Sequence, residues 1–249
     1  DVRRFGPHLT NKPYLVESCR EVYRYYYHMR YPGDENEWGR PYRTSPFYER
    51  LKDFGAVFGH KNGWERANYY DPGRPWRQAG ADQKNWGWTR PPSFGLVAEE
   101  ARAARERVAL FDMSSFGKID VRGRGALAFL QKLAANDVDR PVGSIVYTQL
   151  LNRKGGIESD VTVTRVAENE FRIISGTSFV SSDLGWMQLH QPDDGSVVIE
   201  DVTDRMGCLG LWGPQARKVL QAVSSTDVSN AAFPYMTARA VDIQGAAVW

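Results

Sequence analysis

Two alternating runs around one pair of glycines constrain the fold of this 249-residue chain more than any other feature. Residues 145–150 and 160–165 flank Asn152-Arg153-Lys154-Gly155-Gly156, and period-2 runs joined by so short a glycine-bearing connection pair antiparallel. A purely parallel sheet is thereby excluded. On the second run Asp160, Thr162 and Thr164 share one face, and Val161 and Val163 share the other. Loop length sets the register. A four-residue loop, 152–155, puts Tyr147 directly opposite Asp160, whereas a five-residue loop shifts the pairing by one and sends the two side chains to opposite faces. Without that register, Asp160 reads as a carboxylate on a solvated face.

The elements around this hairpin mix helices with strands. A strand over 117–122 leads into a helix over 125–135. Further strands are expected at 171–175, 196–202 and 208–212, with helices over 180–190 and 215–223. Helices alternating with hairpins give an α+β fold, with mixed or antiparallel sheets and flanking helices. Upstream, Val97, Ala101, Ala104 and Val108 form the inner stripe of another helix, with Glu99 and Glu100 near its start and Arg102, Arg105 and Arg107 toward its end.

The first third of the chain differs in composition. Residues 1–93 hold 19 of the 31 aromatic side chains and carry a basic excess, whereas 94–249 is slightly acidic. Leu15, Cys19, Val22, Tyr26 and Met29 form one stripe of a helix that ends before Pro32, and this stripe is expected in the core. A second helix starts at Ser45-Pro46, presents Phe47, Leu51 and Phe54, and stops at Gly55. Residues 71–95 collect prolines, glycines and Trp76, Trp86 and Trp88. That composition suits an irregular connector packed on a surface. The expected division is 1–75, a connector over 76–93, and 94–249.

Several function classes fall away. Gly123-Arg124-Gly125-Ala126-Leu127-Ala128 imitates a dinucleotide fingerprint, but a turn, 136–141, follows where a second strand with a ribose-binding acid is required. The motif reads as a strand-to-helix turn. His8, His28, His60 and His190 are scattered without metal-ligand spacing, so no metal site is expected. Ser114 and Ser115 lack a nucleophile elbow. A formal net charge of +2, with no run of more than two Lys or Arg, argues against nucleic-acid binding. The longest unbroken apolar run, 126–130, is far below a bilayer span. Cys19 and Cys208 alone make no disulfide framework and suit a reducing compartment, the cytoplasm or, in a eukaryote, the mitochondrial matrix.

Five blocks, taken in order, carry a resemblance: Ala109-Leu110-Phe111-Asp112-Met113-Ser114-Ser115-Phe116-Gly117-Lys118, Ala134-Ala135-Asn136-Asp137-Val138, Tyr147-Thr148-Gln149, Gly155-Gly156-Ile157-Glu158-Ser159-Asp160 and Leu211-Trp212-Gly213-Pro214-Gln215-Ala216. They resemble the folate-binding domain of the glycine-cleavage T-protein (aminomethyltransferase) family. Arg3-Arg4-Phe5-Gly6-Pro7, the segment 39–46 and Gly55-Ala56-Val57-Phe58-Gly59 with Gly63-Trp64-Glu65-Arg66 resemble the central module of FAD-dependent dimethylglycine and sarcosine dehydrogenases.

The resemblance implies an upstream FAD domain that oxidises an N-methyl amine. It also implies a folate domain that captures the one-carbon unit on tetrahydrofolate; from charge and apolar-run length, no nucleic-acid or membrane partner is expected. It makes Asp160 the catalytic carboxylate, an anion that stabilises the cationic iminium and accepts a proton as a folate nitrogen attacks. Tyr147, Phe116, Thr162 and Thr177 become cofactor-binding residues, and Asn136 a structural one. The resemblance further implies that the flavin domain and the family's pterin-binding G-E-L-G-W-E segment lie outside the chain, which by itself should not oxidise amines. A regulatory subunit of the same architecture, of the pyruvate dehydrogenase phosphatase type, and a free-standing aminomethyltransferase are the alternatives.

Overall fold

The computed structural model describes residues 11–31, 34–73 and 89–249, which fall into two compact units. One comprises residues up to Ser115 together with Gly207–Pro214; the other comprises Phe116–Met206 and Gln215–Trp249. The expected connector over 76–93 lies largely outside the described residues.

The first unit opens with helix α1 (Lys12–Arg24), whose N-cap Asn11 accepts a hydrogen bond from the Tyr14 amide at 3.1 Å. This helix corrects the expected stripe in two ways. It ends at Arg24, ahead of three consecutive tyrosines with poor helix propensity. Its buried face is Tyr14 and Glu21, leaving Val22, Tyr26 and Met29 more than half exposed. Polar bonding explains the choice of face. Tyr14 stacks on Tyr42 and its hydroxyl meets His60 Nε2 at 2.8 Å, while the Glu21 carboxylate accepts from the Glu37 and Trp38 amides.

Helix α2 (Tyr48–Asp53) begins two residues later than expected for a Pro46 start, because Ser45 Oγ accepts from the Phe47 amide and donates to Asp112 instead of capping a longer helix. It buries Tyr48, whereas Phe54 is exposed. Strands β1 (Ala56–Lys61) and β2 (Trp64–Tyr70) form an antiparallel hairpin that the sequence reading did not contain. Helix α3 (Phe94–Glu106) also turns a different side inward: Val97 and Ala101 are exposed, while Glu100 reaches the β2 backbone, accepting from the Tyr70 amide at 2.7 Å. Strand β3 (Ala109–Asp112) pairs antiparallel with the strand over Leu209–Trp212.

The second unit follows the sequence reading closely. Its sheet contains β4 (Gly117–Arg122), β5 (Ile145–Leu151), β6 (Ile157–Ala167), β7 (Glu170–Ser175) and β8 (Val198–Asp201), in the order β5-β6-β7-β4-β8 and antiparallel throughout. The remaining elements are helix α4 (Ala126–Leu133), helix α5 (Val180–Leu189), β9 (Leu209–Trp212, in the first unit), helix α6 (Ala216–Val223) and the hairpin β10 (Val241–Ile243) with β11 (Ala246–Val248). α4 buries Ala126, Phe129, Leu130 and Leu133, the spacing of one helix face. These pack with Ile119, Val121, Val161, Val163, Phe171, Ile173 and Met187 into one apolar core.

The Gly123-x-Gly125 turn is explained by packing. Gly123 has φ +120° and a Cβ there would lie 2.3 Å from the Ser196 carbonyl, so the backbone of the segment entering β8 fills the space beside the turn. Gly117 allows a second close approach, since its Cβ would meet Val180 Cγ2 at 2.5 Å and push away the start of α5.

The hairpin register matches neither alternative drawn from loop length. Tyr147 pairs with Thr162, and Gln149 with Asp160. Two one-residue slips add up: Leu151 pairs with Ile157 across the five-residue loop, and an irregularity between Leu150 and Leu151 shifts the ladder once more. Two slips restore parity. Tyr147 and Asp160 therefore share a face but stand on a diagonal, with Thr162 opposite the tyrosine.

Candidate functional site

A cavity of about 510 Å³ opens where β6 and β7 run toward α5, entirely within the second unit. Of the residues singled out from sequence, Phe116, Tyr147, Asp160 and Thr162 line it together. Thr177 is buried and is not among the lining side chains. Alternation along β5 and β6 explains the grouping: Tyr147, Thr162 and Asp160 point to the side opposite Val161 and Val163, which are held in the core. Phe116 reaches the cavity from the residue before β4. Ile157, Ile174 and Phe179 complete an apolar wall.

Asp160 is exposed and accepts from Gln149 Nε2 at 3.4 Å. Its carboxylate, first as a hydrogen-bond acceptor and then as a charge, holds the Tyr147 phenol above the usual tyrosine range. The phenol is thus a protonated donor at neutral pH. Asn136 supports Tyr147 from behind, with its side-chain amide donating to the Tyr147 carbonyl at 3.2 Å and its backbone amide to Thr148 Oγ1 at 3.0 Å. Those contacts tie the turn after α4 to β5.

Sequence reasoning missed Asp183, which also lines the cavity. It lies in the first turn of α5, is 2% exposed, and accepts from Ser159 Oγ at 2.9 Å and from Ser175 Oγ. Burial is the main cause raising its pKa above the ordinary aspartate value; the two serine hydroxyls pull it down and the Asp160 charge adds a further rise. A signal was present in the sequence: Ser159 and Ser175 continue the core-facing series 159, 161, 163 and 171, 173, 175, and serines in such positions require a buried partner.

The arrangement offers an apolar, aromatic-lined recess with an accessible carboxylate and a phenol donor on one wall. Among the described residues no group of three or more His, Cys, Asp or Glu is placed to hold a metal ion, and no helix is long and apolar enough to cross a membrane.

The family profile described as GCVT N-terminal domain matches residues 47–249. The chain belongs to that family. A second profile, the FAD dependent oxidoreductase central domain, matches residues 1–45. This GCVT chain is 36% identical over 98% of its length to the 4-methylaminobutanoate oxidase (formaldehyde-forming) of Paenarthrobacter nicotinovorans, covering 29% of that protein. It is 34% identical over 98% of its length to the mitochondrial pyruvate dehydrogenase phosphatase regulatory subunit of Mus musculus, covering 28% of it. It is also 32% identical over 95% of its length to the mitochondrial sarcosine dehydrogenase of Homo sapiens, covering 30% of it. The chain thus spans under a third of these relatives. Among solved structures, the glycine cleavage system aminomethyltransferase T from Bartonella henselae superposes with a TM-score of 0.56 at 26% identity, over 73% of this chain and 44% of that one. The GCVT assignment agrees with the α+β reading and with the resemblance to the dimethylglycine and sarcosine dehydrogenase family.

Proposed function

We propose that this chain supplies the folate-binding site of an FAD- and folate-dependent enzyme that demethylates an N-methyl amine, of the dimethylglycine or sarcosine type, and passes the one-carbon unit to tetrahydrofolate. The product is 5,10-methylenetetrahydrofolate. The observation that carries the reading is the shared face of Tyr147, Thr162 and Asp160 within a cavity walled by Phe116. At about 510 Å³ the recess falls inside the ~300–1,000 Å³ range of small-molecule sites, and its aromatic and aliphatic lining suits a flat heteroaromatic ring.

Tetrahydrofolate, when bound, supplies the nucleophilic nitrogens of the transfer. Asp160 holds a negative charge beside the reacting atoms, favours a cationic carbon over a neutral one, and takes up the proton that a folate nitrogen loses. The protonated Tyr147 hydroxyl donates into the same space and keeps the carboxylate oriented. Phe116 and Ile174 exclude water, which would otherwise hydrolyse the activated unit to formaldehyde. Thr162, opposite Tyr147 and two residues from Asp160 on β6, is a further polar contact, and Thr177 is buried next to Gly176 of the recess lining. FAD belongs to a domain preceding residues 1–75, which we read as the end of the central module; 94–249 is the beginning of the folate domain. The compartment we propose is the cytoplasm, or the mitochondrial matrix in a eukaryote.

The second reading, a regulatory subunit, is favoured by the 34% identity to the phosphatase subunit. One experiment separates the two. In the full-length protein with an N-methyl amine and tetrahydrofolate, the wild type yields methylenetetrahydrofolate and Asp160→Asn diverts the product to formaldehyde. The same partition in both proteins refutes the role of Asp160, and absence of amine oxidation in the wild type favours the regulatory reading.

A further inference from the structure

The reactive carboxylate assigned above sits on a poorly supported piece of strand. The β6–β7 ladder runs from Ala167↔Glu170 to Thr162↔Ile174, and β7 ends at Ser175, so Asp160 is paired only through Gln149 of β5. On that side the register slips between Leu150 and Leu151, one residue beyond Leu150↔Ser159. The exposed side chain itself meets the Gln149 amide at 3.4 Å and the Tyr147 phenol, both on β5. Its place along β6 is set by the backbone, at the point where the sheet gives that backbone least hold.

Asp183 stands at that point. Its two carboxylate oxygens take one hydroxyl from each strand: Oδ1 accepts from Ser159, the residue before Asp160, and Oδ2 accepts from Ser175, the last residue of β7. Both serines lie on the core-facing side, opposite Asp160. Helix α5 in turn is brought against β4 by the missing Cβ of Gly117. Packing alone would favour an apolar side chain here, because a buried carboxyl group costs free energy unless its bonds are all made. A satisfied polar network of this kind fixes geometry.

We propose that Asp183 is a positioning residue for Asp160: through Ser159 and Ser175 it clips the ends of β6 and β7 and fixes the backbone that presents Asp160 to the cavity. This inference rests on the folate-transfer reading of Asp160. It assigns Asp183 no contact with the reacting atoms.

The test is a set of variants of the full-length protein, read by the ratio of methylenetetrahydrofolate to formaldehyde. Asp183→Asn and Ser159→Ala should each lower the ratio about tenfold or more, since a displacement of about 1 Å costs up to ~100-fold. The double variant should be no worse than the poorer single. In an Asp160→Asn background neither change should alter the ratio further, because the group they position is gone. Unchanged ratios in both single variants, with Asp160→Asn still diverting product, overturn the inference and leave the folate reading standing. A loss that persists undiminished in the Asp160→Asn background also overturns it, by marking a general structural role. An unchanged ratio in Asp160→Asn itself refutes the reading on which the inference rests. Should Asp183→Asn fail to fold, Ser159→Ala decides the matter alone.

Discussion

The two units bury different chemistry. In the second, the interior is apolar and mostly aliphatic, Ile119, Val121, Leu130, Val163, Ile173 and Met187 packed with Phe171 between sheet and helices. In the first, the apolar cluster is small, centred on Tyr48, Ala56 and Phe58, and an ion pair is buried with it. Arg40 and Glu65 have side-chain exposures of 0% and 1%; Arg40 binds the carboxylate through Nε at 2.8 Å and Nη2 at 2.6 Å, and reaches the Asn36 and Phe58 carbonyls with its remaining donors. Glu21 and His60 extend this polar interior. A unit held by paired charges depends on both partners being present, whereas one held by aliphatic packing depends on volume.

The largest expected effect tests that difference directly. Arg40→Met leaves Glu65 buried without its counter-charge and should destabilise the first unit by about 3–5 kcal/mol, and adding Glu65→Leu should restore most of the loss. Segment-resolved hydrogen exchange distinguishes the units. Leu130→Ala in the second unit should cost about 2–5 kcal/mol, with no second-site polar rescue available. Gly123→Ala should cost about 2 kcal/mol there, because φ +120° and the Ser196 carbonyl both resist a Cβ.

The smallest effect is in pH dependence, where the units should respond with opposite sign. Burial lowers the His60 pKa below its ordinary value of 6.5, so the unfolded chain binds the proton first. Stability from His60 is present above pH ~6.5 and is lost as pH falls toward the folded value. Burial raises the Asp183 pKa above 3.8. Its contribution is therefore fullest below the unfolded value and is lost as pH rises through the folded one. Denaturation midpoints of His60→Gln and Asp183→Asn against pH check both signs.

The same contrast explains what could be read from sequence. In the second unit, alternation and helical spacing pick out β4 to β8, α4 and α5, because aliphatic burial is the signal those periodicities carry. In the first unit the apolar stripe of α1 points outward, since Tyr14 and Glu21 make bonds that no hydrophobic pattern encodes. The site falls between these cases. Alternation put Asp160 and Thr162 on one face, but Tyr147 joined them only through a register that depended on an irregularity beside Leu151. Asp183 escaped notice because it stands on a helix while its two partners lie on two strands, 24 and 8 residues away in sequence.

We propose that this recess holds a flat folate ring against Tyr147 while Asp160 serves the chemistry. Calorimetric titration of the full-length protein with tetrahydrofolate tests it most directly. Replacing Tyr147 with Ala should weaken binding about fivefold or more, the loss of one aromatic contact of ~1 kcal/mol or above, whereas Asp160→Asn should bind within about twofold of wild type while failing to trap the one-carbon unit. Equal affinity in wild type and Tyr147→Ala, or no binding to the wild type at all, would refute folate binding in this recess.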